Sequence, residues 1–193
     1  MTNEVWWQGG SVVRSIVYGF NASGLQTHAS DPSGTQSHTY DALNRLERFV
    51  QTGVPGQPDF MLGYTYDQST IVLAVTDGDG VMVGSAFDSR SRLIRRTWQG
   101  PGVDPARAEF GYDSAARRLR IDRYADLAGG SPVGSTTQGY NRAGILTNIT
   151  HWGAASQVLA RYDFAHDAAF QIIRLVLGGA GNQLSDFAYD GTG

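Results

Sequence analysis

Large apolar residues recur at every second position in short runs along the chain: Phe60, Leu62, Tyr64 and Tyr66; Val158, Ala160, Tyr162 and Phe164; Ile173, Leu175 and Leu177. A two-residue period puts one side of a β-strand against apolar surroundings and turns the other to polar ones. The pattern therefore predicts half-buried strands. Between the runs come turn residues, and no stretch shows the helical spacing that a parallel crossover needs. An all-β fold is expected, laid out as one long antiparallel meander.

The reversals carry a repeat. An aromatic-x-aromatic-Asp/Asn pattern, or a degraded copy of it, occurs eight times, with its acid or amide at Asn21, Asp41, Asp67, Asp88, Asp113, Asn141, Asp167 and Asp190. Tyr18, Tyr40, Tyr64 with Tyr66, Phe87, Phe110 with Tyr112, Tyr140 and Tyr189 supply the aromatics. The side-chain oxygen of the Asp or Asn is placed to accept the backbone N–H two residues on. Gly24, Asn44 and Gly144 stand three residues on, where the chain needs a type that tolerates positive φ. Arg45-Leu46 and Arg92-Leu93 then open a second strand. On this reading the tyrosines fill a core face, Leu46 points back into it, and the Arg45 guanidinium lies along the sheet over neighbouring aromatics.

Other turn signals lie between the copies: "SDPSGT" at 30–35, "TDGDG" at 76–80, "QGPGVDP" at 99–105, "LAGGSPVG" at 127–134 and "GGAGN" at 178–182. Each repeat thus gives two strands and two reversals. Residues 1–17 read as an N-terminal edge or cap, with Trp6 and Trp7 covering the sheet edge. Residues 18–193 read as about eight hairpin repeats, the last incomplete.

With 193 residues, 41% of them hydrophobic and 17% charged, the chain is expected to bury a substantial core. Twenty-five glycines against six prolines, and an aromatic content of 11%, again favour short strands and tight turns. Neither sign of charge forms a long block, and the net charge is −3, so a nucleic-acid footprint is not expected. The absence of cysteine excludes disulfides and thiolate metal sites. No apolar run approaches the roughly 18 residues of a membrane span, and "MTNEVWWQGG" lacks the basic and apolar segments of a signal.

At the repeat residues the sequence resembles the YD-repeat, or rearrangement-hotspot (Rhs), family, whose unit runs approximately G-x-x-x-x-Y-x-Y-D-x-x-G-R-L. "SDPSGTQSHTYDALNRL" matches closely, "FDSRSRL" and "GYNRAGIL" match moderately, and the likeness extends over about residues 18–193. The resemblance implies a curved, spiralling open sheet that in long members winds into a shell around a toxic segment, and in animal relatives belongs to cell-surface adhesion proteins. It implies an exported bacterial protein, secreted or attached to the cell envelope. The expected partners are the remainder of a larger polypeptide or its toxin cargo, or a second copy meeting at an open sheet edge. "DPSG" at Asp31 to Gly34 fits an inter-strand turn, and no self-cleavage residues carry over from the family.

Chemistry has few candidates. Asp41, Asp67, Asp88, Asp113 and Asp167 are occupied as turn acids, which leaves no evident pair of carboxylates for hydrolysis. "TDGDG" lacks the further oxygen ligands and the closing Glu of a calcium loop. His28, His38, His151 and His166 show no metal-ligand spacing, and there is no nucleophile elbow or phosphate loop. The sequons at Asn21 and Asn148 are short enough to arise by chance. The arginines between Arg90 and Arg123 are interleaved with acids and read as a salt-bridged sheet surface. The chain is expected to be a non-enzymatic module without cofactor or metal. The competing reading is a carbohydrate- or protein-binding surface built on Trp98 and Trp152, each near the far end of a strand.

Overall fold

A computed structural model describes residues 1–178 and 183–188. Those residues form sixteen antiparallel strands and no helix. In chain order they are β1 (Thr2–Gln8), β2 (Ser11–Phe20), β3 (Gln26–Asp31), β4 (Gly34–Tyr40), β5 (Leu46–Thr52), β6 (Phe60–Tyr66), β7 (Val72–Asp77) and β8 (Met82–Phe87). Then follow β9 (Leu93–Gly100), β10 (Val103–Tyr112), β11 (Arg118–Tyr124), β12 (Pro132–Tyr140), β13 (Leu146–Gly153), β14 (Val158–His166), β15 (Ile172–Gly178) and β16 (Gln183–Asp186). Hydrogen bonding joins them in the order of the chain, with β1 and β16 at the two ends, so the sheet is open. Residues 1–17, read as an edge or cap, supply β1 and most of β2, joined through Gly9 and Gly10 at φ 59° and 82°. Tyr189 and Asp190 of the eighth repeat lie outside the described residues.

The chain divides into two compact units, residues 1–85 with 98–103, and residues 86–97 with 104–193. In the first unit, the register places Tyr18, Ala29, Gln36, Gln51 and Phe60 opposite one another across β2 to β6. Directly opposed residues of an antiparallel pair share a face. The same face carries Tyr40, Phe49, Leu62, Tyr64 and Val75, whereas the other carries His28, Ser37, Thr65 and Thr76. In the second unit, Phe110, Ile121, Thr136 and His151 line one face. Glu109, Asp122, Ser135 and Trp152 line the other. The two-residue period sorts apolar from polar side chains only in part, since Val50 and Met61 lie on the Ser37 face of the first unit and Arg123 shares the face of Ile121 in the second.

One expectation fails. Among the described residues the strands within each unit touch only their sheet neighbours, so no second layer of them covers either face. Among the described residues no large side chain is fully buried, and Ala108, Thr136 and Thr150, at 8%, 5% and 5% exposed, are among the most enclosed. Tyr40, Leu46 and Tyr66 are half-buried rather than packed in a core. The reason is geometric: a strand's neighbours in its own sheet shield the flanks of a side chain but not its tip, and only a second layer does that.

Candidate interaction surface

The repeat motif builds one local structure many times. Each even-numbered strand from β2 to β14 ends at a motif Asp or Asn, and the backbone then closes a tight loop. Asp41 N–H donates to the Arg45 carbonyl at 2.9 Å and Asn44 N–H to the Asp41 carbonyl at 3.0 Å. The same pair of bonds recurs at Asn21, Asp88, Asp113, Asn141 and Asp167. It also recurs on the opposite ends of hairpins at Asp77, within the "TDGDG" segment, and at Gly153. The Gly153 turn, "GAAS", carries no acid and escapes a motif search.

The fourth residue of the loop lies in the left-handed region. Gly24, Asn44, Gly80, Ser91, Ala116, Gly144, Ser156 and Phe170 take φ between 59° and 86°. Just before most of these loops the register slips by one residue, for example between Thr39 and Tyr40 and between Gly111 and Tyr112. This bulge brings Tyr40 opposite Leu46 and Tyr140 opposite Leu146.

The motif carboxylate holds the loop from outside the backbone. Asp41 Oδ1 accepts N–H bonds from Leu43 at 2.8 Å and Arg45 at 3.0 Å, while Oδ2 accepts the Arg45 Nε–H at 2.7 Å. Asp88 binds Arg90, Arg92 and the Arg92 guanidinium in the same way. Asp113 binds the Arg117 N–H and Nε–H. The Arg N–H bonds first, and the guanidinium after them, hold Asp41, Asp88 and Asp113 below the ordinary carboxylate range. Asn21 and Asn141 accept the equivalent pairs of N–H bonds through their amide oxygens, without the charge.

The arginine then reaches into the following repeat. Arg45 Nη1 donates to the Asp67 carbonyl at 2.8 Å, Arg92 Nη1 to that of Asp113 at 3.1 Å, and Arg117 Nη1 to that of Asn141 at 3.5 Å. Each guanidinium also lies over the next motif tyrosine: Arg45 over Tyr66 at 4.5 Å, Arg92 over Tyr112 at 4.9 Å and Arg117 over Tyr140 at 5.0 Å. Those tyrosines donate back, Tyr66 to the Leu46 carbonyl at 2.6 Å, Tyr112 to Leu93 at 2.9 Å and Tyr140 to Arg118 at 3.1 Å. Tyr40 does the same to Gln26 at 2.7 Å. Asp, Arg, Leu and Tyr together form a clasp from one repeat to the next. Where Leu25, Ile71, Ile145 or Gln171 replaces the arginine, the guanidinium part of the clasp is missing.

Of the remaining candidates, Phe87 ends β8 next to Asp88, at the position that Tyr66 and Tyr112 hold in their repeats, and Tyr64 and Phe110 stand two residues before those tyrosines. Trp98 and Trp152 are half-buried, and the Trp152 Nε1–H is engaged by Thr137 Oγ1 at 3.1 Å. Trp6 and Trp7 are 50% and 66% exposed. Several arginines of the second unit pair with acids, Arg95 and Arg107 with Glu109, Arg120 with Asp122 and Arg161 with Asp163, whereas Arg118 and Arg123 donate to Gln138 and Thr136. Asp77 Oδ1 accepts the N–H groups of Asp79 and Val81, as a hairpin turn acid does. Among the described residues no group of three or more His, Asp or Glu side chains is placed to hold a metal ion. No helix among them is long and apolar enough to cross a membrane.

No family model matches the sequence, and no curated protein matches it. Solved structures similar to it include a complex of TcdB2, TccC3 and Cdc42, at 11% identity and a TM-score of 0.49 over 90% of this chain. A second is the Photorhabdus luminescens Tc holotoxin pore carrying a TccC3 mutation, at 11% identity and 0.49 over 96% of this chain. The chain spans 12% and 13% of the length of those two toxin chains. A third is a porin-like protein from Bacteroides uniformis, at 11% identity and 0.47, covering 90% of this chain and 82% of that one.

Proposed function

We propose that the chain is a non-enzymatic structural module of the Rhs/YD-repeat kind, a strip of wall that encloses or presents another polypeptide of an exported bacterial toxin. The observation that carries this reading is the pairing of serial clasps with an uncovered apolar face. Arg45, Arg92 and Arg117 tie the Asp of their own repeat to a backbone carbonyl of the next, which stiffens the strip. Phe49, Phe60, Leu62 and Tyr64 remain on a sheet face that no second layer among the described residues covers. An uncovered face of that composition lowers its free energy by meeting apolar surface from another segment, at roughly 25 cal/mol per Å² removed from water.

Hydroxyl-radical footprinting tests the proposal. The protein as isolated from its source cells is compared with the 193-residue chain alone, reading Phe49, Phe60 and Tyr64. The wall reading expects these rings to be protected in the native protein, in a species heavier than the 20.8 kDa of this chain. Equal labelling in a species of that mass would overturn it.

A further inference from the structure

The apolar row of the first unit is interrupted at one place. Across β2 to β6 the register sets Tyr18, Ala29, Gln36, Gln51 and Phe60 side by side. Two amides and a methyl group thus stand between two rings, beside a row that carries His38, Phe49 and Leu62. The result is a trough of about 440 Å³ lined by Tyr18, Ala29, Gln36 and Gln51 together with Arg14, Ile16, Gln26 and Val54. That volume lies within the range of small-molecule sites.

The charges around the trough are already spent. Arg14 Nε–H donates to Asp31 Oδ2 at 2.7 Å, and its Nη2 forms a further short ion pair with the same oxygen. At the outer end, Glu4 accepts from the Trp6 indole at 2.7 Å and from the Tyr18 hydroxyl at 3.0 Å. Arg14 also lies 5.6 Å from the Trp6 ring centre. The amides are in the opposite condition. Gln36 Nε2 reaches Gln51 Oε1 only at 3.4 Å, a long contact, and among the described residues the Gln26 amide has no side-chain partner. Each glutamine offers two N–H donors and a carbonyl acceptor.

We infer that this trough binds a neutral saccharide. A sugar presents hydroxyls that both donate and accept, which suits three amides, and a C–H face that suits Ala29, Ile16, Val54 and a flanking ring. An ionic ligand would have to displace one half of the Arg14–Asp31 pair. The inference moves the sugar-binding chemistry from Trp98 and Trp152, whose faces are half-covered, to residues on the opened row.

The test is a titration of the ¹⁵N-labelled chain with the methyl glycosides of glucose, galactose and mannose, with N-acetylglucosamine, and with their disaccharides. Glucuronate and glucosamine serve as charged counterparts. At least one neutral sugar is expected to shift the side-chain amide signals of Gln26, Gln36 and Gln51 saturably. Replacing Gln36 and Gln51 together by Leu should weaken that binding about tenfold or more, the ratio that corresponds to ~1.4 kcal/mol. Ala29→Phe, which fills the floor and leaves the amides in place, should abolish it with an unchanged far-ultraviolet spectrum. Because the two variants alter different parts of the trough, a folding defect in one leaves the other informative. No saturable shift with any neutral sugar, a shift that survives Ala29→Phe, or a response to the charged sugars alone would each overturn the inference. The footprinting experiment reads rings of β5 and β6, so failure of the wall reading leaves this result standing.

Discussion

Ser91, Ala116, Ser156 and Phe170 occupy the position where Gly24 and Gly144 sit, with φ of 59°, 63°, 61° and 65°. A left-handed backbone costs a residue with a Cβ about 1–2 kcal/mol, and part of that is recovered because glycine loses more entropy on folding. Ala116→Gly is therefore expected to stabilise the fold by roughly 0.5–1 kcal/mol, and Gly144→Ala to destabilise it by about 1 kcal/mol. Urea unfolding of the two variants measures both. A destabilising Ala116→Gly would show that its methyl group makes a contact worth more than the strain. This position also marks a limit of reading the sequence. Glycine and asparagine announce a left-handed turn, but Ala116 and Phe170 take the same conformation because the surrounding bonds, from Asp113 and Asp167, already define the loop.

At the scale of the element, the unit of stability is the clasp, and two of its forces separate experimentally. Arg45 contributes a bond to the Asp67 carbonyl and a cation over Tyr66. A double-mutant cycle with Arg45→Met and Tyr66→Leu is expected to return a coupling of about 0.5–1 kcal/mol, the range for a cation–π pair near the surface. Additive effects would reduce the stacking to coincidence. The carboxylate gives a pH signature. Asp41, Asp88 and Asp113 titrate below their unfolded value of about 3.9, so they stabilise the fold above that value and lose the contribution as pH falls through their lower folded values. Replacing all three by Asn should lower thermal stability at pH 7, where the Arg bonds are lost. It should also flatten the fall in stability below about pH 4. Because Asn21 and Asn141 already make the same N–H bonds, the loops themselves should persist in the variant. An acid limb as steep as that of the parent would assign it to Glu4, Asp31, Asp67, Glu109 and Asp126, which are also held below their ordinary values.

Strand order was legible in the sequence because hairpins are local: an alternating run, a turn acid and a second run specify their own pairing. The clasp was half legible. Arg45 lies over an aromatic ring, yet that ring is Tyr66 of the next repeat, 21 residues on, and nothing in the spacing of one motif states which ring will be beneath it. The trough was not legible, since Ala29, Gln36 and Gln51 are brought side by side only by the register of two successive hairpins. The core was misread for a different reason. Alternation reports that one side of a strand is apolar, and it does so equally whether a second layer of this chain or another molecule covers that side.

That distinction leads to a calorimetric expectation for the whole molecule. Unfolding a globular domain raises the heat capacity by about 12–15 cal/mol/K per residue, a term set mainly by the apolar surface newly exposed to water. In this chain much of that surface is exposed before unfolding begins: Trp7, Val13, Leu43, Val133, Leu159 and Phe170 are all 55–66% exposed. The strands are held chiefly by backbone ladders and clasps, whose exposure on unfolding adds polar surface and lowers the heat capacity. The isolated chain should therefore unfold with a heat-capacity change per residue below the globular range, and with a correspondingly shallow urea dependence. Differential scanning calorimetry across a dilution series separates the outcomes. A low value independent of concentration fits an uncovered sheet. A globular value that falls on dilution would mean that copies of the chain cover one another's apolar faces, and a globular value at every dilution would contradict a single-layered fold.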